Sequence, residues 1–91
     1  MDTESDSSAS LLHALHQLHP SAASSRLQEA CALVASLTEK APTHVYVMMP
    51  QLLQDKLGDA SSGLWVAMRD SRVETREAAA AALRGCLGVI Q

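Results

Sequence analysis

Apolar residues in this chain return every three or four positions. The segments are cut apart at His19-Pro20, at Ala41-Pro42, at the stretch Gly58 to Gly63, and at Asp70-Ser71. Spacings of three and four mark one face of an α-helix, whereas half-buried strands alternate. The apolar set supports the same reading. It is 47% of the chain but only 2% aromatic, with one Trp, one Tyr and no Phe. Strands favour aromatic and β-branched residues, whereas Ala and Leu favour helices. The fold class is therefore all-α, and 91 residues make one small domain or part of something larger.

Each segment has its own start and stop. Residues 1–10 are acidic and Ser-rich, with little to bury, and read as a disordered tail. Leu11, Leu12, Leu15 and Leu18 make a first helix over 9–19, ended by His19-Pro20 because proline pushes its predecessor out of the α region. Ser24 or Ser25 can cap a second helix, 25–40, with Leu27, Ala30, Cys31, Val34 and Leu37 on its face. Thr43 can cap a third, about 44–57, which carries Val45, Met48, Met49, Leu52, Leu53 and Leu57. Pro50 inside it predicts a kink or break. Residues 58–63 read as a loop, and Leu64 to Met68 as one or two helical turns. The last helix, about 72–90, places Ala79, Leu83, Cys86, Leu87 and Ile90 on one face.

Several function classes are excluded. No apolar run approaches the roughly 18 residues of a membrane span. No charged-then-apolar leader opens the sequence. The net charge is −3, and the excess lies in Asp2, Glu4 and Asp6, so the basic footprint of a nucleic-acid binder is missing. The two cysteines, Cys31 and Cys86, lie on apolar faces and read as core thiols. His13, His16 and His19 share a helix but have no adjacent Cys or carboxylate to complete a metal site, so they read as a polar helix edge. No catalytic, cofactor or metal residue is expected.

The chain also repeats itself. Shifted by 50, Arg26 falls on Arg76, Ala30 on Ala80, Ala32 on Ala82, Leu33 on Leu83 and Leu37 on Leu87. Both arginines stand six residues after a helix break, at Pro20 and Asp70. The implied unit is a helical hairpin of about 40–50 residues, the size of HEAT and armadillo repeats. Two units follow, about 11–40 and 44–91. One hairpin cannot hide its apolar face alone, so such units stack. Arg76 and Asp70 are the residues expected to tie loop to helix. Trp65 is a core residue by position, and a candidate interface residue because Trp is enriched at binding hot spots.

Residues 64–91, LWVAMRDSRVETREAAAAALRGCLGVIQ, resemble a HEAT repeat. More narrowly they resemble the amino-terminal HEAT region of target of rapamycin (TOR) serine/threonine kinases. Trp65, Val66, Ala67, Asp70, Arg76, Glu77, Ala79, Ala82, Leu83, Cys86 and Leu87 match that family's pattern, and Arg26 to Leu37 followed by Pro42-Thr43 resembles the preceding helix and its exit. The likeness covers about residues 20–91. Departures are a longer interval around Lys56 to Gly63, Gly85 in place of Ala, and Thr75 where HEAT repeats usually place Val.

The resemblance implies a fold of antiparallel HEAT-like hairpins, an α-solenoid segment. It implies a cytoplasmic scaffold in nutrient and growth signalling, whose partners are adjacent repeats and regulatory subunits of a TOR-like complex. Kinase activity, with its ATP and Mg, would belong to another part of the parent. This chain carries no Gly-rich phosphate loop, H-R-D or D-F-G triplet. Two other readings stay open. One is a HEAT segment of a transport receptor or phosphatase scaffold. The other is a small helical bundle that self-associates to complete its core.

Overall fold

A computed structural model describes residues 3–53 and 63–90, with side chains from residue 9 onward. The described residues form five helices and no strand: α1 (Thr3–Gln17), α2 (Ser24–Lys40), α3 (Pro42–Leu53), α4 (Leu64–Met68) and α5 (Val73–Ile90). The all-α expectation holds. The loop expected at about 56–63 and the third helix beyond Leu53, Leu57 included, lie outside the described residues apart from Gly63.

The helix boundaries differ from expectation in instructive ways. α1 starts at Thr3, inside the stretch expected to be a disordered tail. Leu11, Ala14 and Leu18 are buried and anchor its far end. An anchored helix propagates easily into flanking residues. α2 has Ala23, not a serine, at its cap position, with no side-chain capping bond. Ser24 is already helical and sends its hydroxyl elsewhere. α3 begins at Pro42, where a missing N–H costs nothing because the first turn has no partner for it. It then continues through Pro50 instead of breaking. Pro50 is exposed, so water can serve the Tyr46 carbonyl that its missing N–H leaves unpaired.

One continuous core joins both halves of the chain. Leu11 and Ala14 from α1, Cys31 and Val34 from α2, Val45 and Leu52 from α3, and Leu64 and Ala67 from α4 are all buried. α5 contributes smaller groups: Thr75, Ala79, Ala82 and Cys86. This corrects the face expected for the last helix. Ala79 and Cys86 are inside, but Leu87 is 46% and Ile90 47% exposed. The cause is close packing. Small residues let α5 approach its neighbour, so its alanine face turns inward and the leucines turn to the flank.

That neighbour is α2. Ser24 meets Asp70, Gln28 meets Thr75, and Thr38 lies against Gly85. The contacts run forward along both helices, so α2 and α5 lie side by side and parallel. Their offsets are 46 and 47 residues. The offset of 50 is therefore not the packing register: it sets buried Leu37 on exposed Leu87, and exposed Ala32 on buried Ala82. An offset of 48 brings the buried faces into phase, with Leu27 on Thr75, Cys31 on Ala79 and Val34 on Ala82. Repeated alanines and leucines produced matches in the sequence that the packing does not use.

α4 is placed by α3. Trp65, half-buried, donates its indole N–H to the Leu53 carbonyl at 2.7 Å. This bond ties α4 to the main chain of α3. Trp65→Phe keeps most of the ring and removes the donor. Its expected cost is about 1 kcal/mol, read as a lowered denaturation midpoint with an unchanged helical circular-dichroism spectrum.

Candidate functional site

The polar groups of the chain converge where α2 starts and α5 starts. Parallel packing brings these two ends together. The Asp70 carboxylate accepts the Ser24 hydroxyl at 2.8 Å and the Arg72 backbone N–H at 3.2 Å. Gln28 Nε2 donates to the Thr75 hydroxyl oxygen at 3.0 Å. Thr75 is the one fully buried polar residue among the described residues. The buried Thr75 hydroxyl is thus satisfied from the neighbouring helix, where it accepts from Gln28.

Arg76 reaches back to the Asp70 backbone carbonyl at 3.2 Å. The guanidinium does tie the loop to the helix start, but through the main chain and not through the carboxylate. Its counterpart Arg26 is exposed, as is Arg76 itself. Leu33 and Leu83 are both half-buried. The remaining pair, Leu37 and Leu87, is split between core and surface. Trp65 spends its polar edge on Leu53, so its ring serves α3–α4 docking.

The Ser24–Asp70 pairing has one further electrical consequence. The Ser24 hydroxyl, then the Arg72 N–H, the Thr75 hydroxyl and the Arg72 charge hold the Asp70 carboxyl below its ordinary value of 3.8, against the opposing effect of desolvation. A carboxylate so held is a weak base, and a serine needs a base poised near the working pH to act as a nucleophile. The arrangement fits a clamp between helices. A depressed native pKa contributes stability that is present above 3.8 and lost as pH falls through the native value. Asp70→Asn is therefore expected to melt lower than the parent at pH 7. That gap closes toward pH 2, measured by thermal melts across the range.

Two shallow spaces flank the clamp and the first hairpin. A cleft of about 280 Å³ is lined by Pro20, Ala22, Leu27, Val66, Arg69, Asp70 and Ser71. A groove of about 300 Å³ between α1 and α2 is lined by His13, Gln17, Glu29, Ala30 and Leu33. Its lining comes from both helices. His13, His16 and His19 are all exposed. Among the described residues, no three His, Cys, Asp or Glu side chains are grouped so as to hold a metal ion.

Cys31 and Cys86 are buried free thiols. Burial pushes the Cys31 thiol up to about 12 and raises Cys86 as well. The thiolate is the reactive form, so both side chains behave as small core groups. No described helix is long and apolar enough to cross a membrane.

The element missed in the sequence is Ser24. Its partner stands 46 residues away, and no local pattern announces such a bond. No family model matches the chain, and no significant match appears among curated proteins or solved structures.

Proposed function

We propose that this chain is a helical-repeat scaffold segment that mediates protein–protein interaction, of the kind found in the amino-terminal HEAT region of a TOR serine/threonine kinase. The observation that carries the reading is the side-by-side, parallel placement of α2 and α5 at an offset of 46–47 residues. Stacked hairpin repeats place equivalent helices this way, and about 40–47 residues is the HEAT and armadillo period. In this reading α1–α2 is one unit, and α3, α4 and α5 make the next. The Ser24–Asp70 and Gln28–Thr75 bonds lock the two units in register.

The TOR assignment rests on the Trp65-to-Leu87 resemblance. Catalysis would then belong to a kinase domain elsewhere in the parent, and this segment would offer its helix ridges to regulatory subunits in the cytoplasm. An antibody against residues 71–91, used on source lysate, tests the assignment. A band of several hundred kilodaltons is expected of a TOR-sized parent. A band only near the 9.7 kDa of this chain would remove the kinase assignment.

A further inference from the structure

One face of α5 is apolar and turned to solvent. Val73, Arg76, Ala80, Leu83, Leu87 and Ile90 follow one another at spacings of 3, 4, 3, 4 and 3. That is the a/d spacing of a coiled-coil seam. At 3.6 residues per turn the stripe lies about a quarter turn from the buried Thr75–Cys86 face. It lies about half a turn from Gly85, which faces α2. The seam is thus on the side of α5 away from α2. Val73 is 52% exposed, and Leu87 and Ile90 nearly half, while Leu83 and Ala80 are half-buried.

The charges beside this seam identify its occupant. Glu77 and Arg84 are exposed, stand seven residues apart on the outer rim, and make no ion pair within the described residues. We propose that a second copy of this chain docks here, α5 against α5 in antiparallel sense about a two-fold axis. In that register Val73 lies opposite Ile90 of the other copy, Arg76 opposite Leu87, and Ala80 opposite Leu83. In an antiparallel seam the outer rim positions of the two helices face each other. Glu77 then meets Arg84 of the other copy, and Arg84 meets Glu77, so the single pair is satisfied twice. Sliding the helices by one heptad would place Arg84 against Arg84, a like-charge contact that the register avoids. Arg76 fits its layer because its guanidinium is already held at the Asp70 carbonyl, which leaves the alkyl stem for Leu87.

The inference does not rest on the scaffold proposal and competes with it for this face, since a further stacked unit would also sit on the side of α5 away from α2. The dimer is read on this chain and the parent's size in lysate, so the two fail separately. A seam of one helix is a small interface, so the dimer belongs to the transient class. Sedimentation equilibrium of the full chain from about 10 µM to 1 mM covers that range. A monomer–dimer equilibrium is expected, and Leu87→Glu should abolish it. Arg84→Glu or Glu77→Arg alone places like charges together at both symmetric sites. Each should weaken the dimer about tenfold, from the usual size of rim pairs. The double exchange, Glu77→Arg with Arg84→Glu, should restore it to within about threefold. Circular dichroism checks folding; should Leu87→Glu fail to fold, the exposed charge exchanges decide between dimer and monomer on their own. A monomer throughout, a dimer indifferent to Leu87→Glu, growth beyond two copies, or a double exchange no better than the singles would each overturn the proposal.

Discussion

Gly63→Ala is expected to destabilise the chain by about 2–6 kcal/mol, because it combines backbone strain with a main-chain collision. Gly63 has φ 59° and ψ −146°, a region that side-chain-bearing residues hardly enter. Holding an L-residue in this region costs roughly 1–3 kcal/mol. Space is also missing. A Cβ at Gly63 would run into the Leu52 carbonyl and the Gln51 oxygen at the end of α3. These are main-chain atoms, so no rotamer change relieves the contact. Forced overpacking adds roughly 1–3 kcal/mol. A chain of this length has only about 5–14 kcal/mol in total. Urea unfolding should therefore show a much lower midpoint. An unchanged midpoint would mean that α4 does not sit on the end of α3 as described.

The second large effect concerns the α2–α5 contact. Gly85 lies within α5, where Ala would ordinarily be better by about 1 kcal/mol. Here a Cβ would come to 2.5 Å from Thr38 Oγ1 and 3.1 Å from its Cγ2. The Thr38 side chain is not free to swing, because its hydroxyl donates to the Ala35 carbonyl at 2.6 Å. Gly85→Ala is therefore expected to cost about 1–3 kcal/mol, typical of overpacking, in spite of the propensity gain. Thr38→Ala in the same chain removes the two closest atoms and should recover much of the loss. Gly88 is the control. It lies in the same helix with nothing within 4 Å of an added Cβ. Gly88→Ala should stabilise by up to about 1 kcal/mol. Opposite signs at two glycines three residues apart follow from packing alone, and equilibrium unfolding of the three variants measures them.

The same two glycines show where sequence reasoning stops. Leu27, Cys31, Val34 and Leu37 announce a helix and its buried face, and all four are buried. The breaks at Pro20, Pro42 and Asp70 likewise separate α1, α2, α3 and α5. Local physics sets these, so local patterns reveal them. The pairing of α2 with α5 is different. In an Ala- and Leu-rich chain, identities recur at several offsets, 50 among them, while the structure uses 46–47. Register is decided by where Thr38 meets a residue without a side chain. It is also decided by which hydroxyl reaches Asp70. Neither is a periodic property.

The last helix shows a related limit. Its leucines are the most apolar residues of the segment, so a hydrophobicity argument puts them inside. Close approach to α2 favours small groups at the contact, and the leucines are left on the flank. Trp65 is legible as a space-filling residue, whereas its bond to Leu53 depends on the end of another helix. The clamp at Asp70 is half legible. The Asp70–Arg76 spacing indicates a loop-to-helix tie, but Ser24 and the carbonyl as acceptor appear only in three dimensions.

The stacked-hairpin reading depends on the parallel placement of α2 and α5, and paired spin labels test it most directly. Ser25, Arg72 and Gly88 are exposed, and buried Cys31 and Cys86 stay unlabelled under native conditions. Labels at 25 with 72, and at 25 with 88, are compared in chains diluted with unlabelled protein so that only distances within one copy count. Sixteen residues of helix at 1.5 Å each separate the second site from the first by about 24 Å. Parallel helices give a short distance for 25–72 and a long one for 25–88. The reverse order would mean that the helices run antiparallel, and the stacked-hairpin reading would fail.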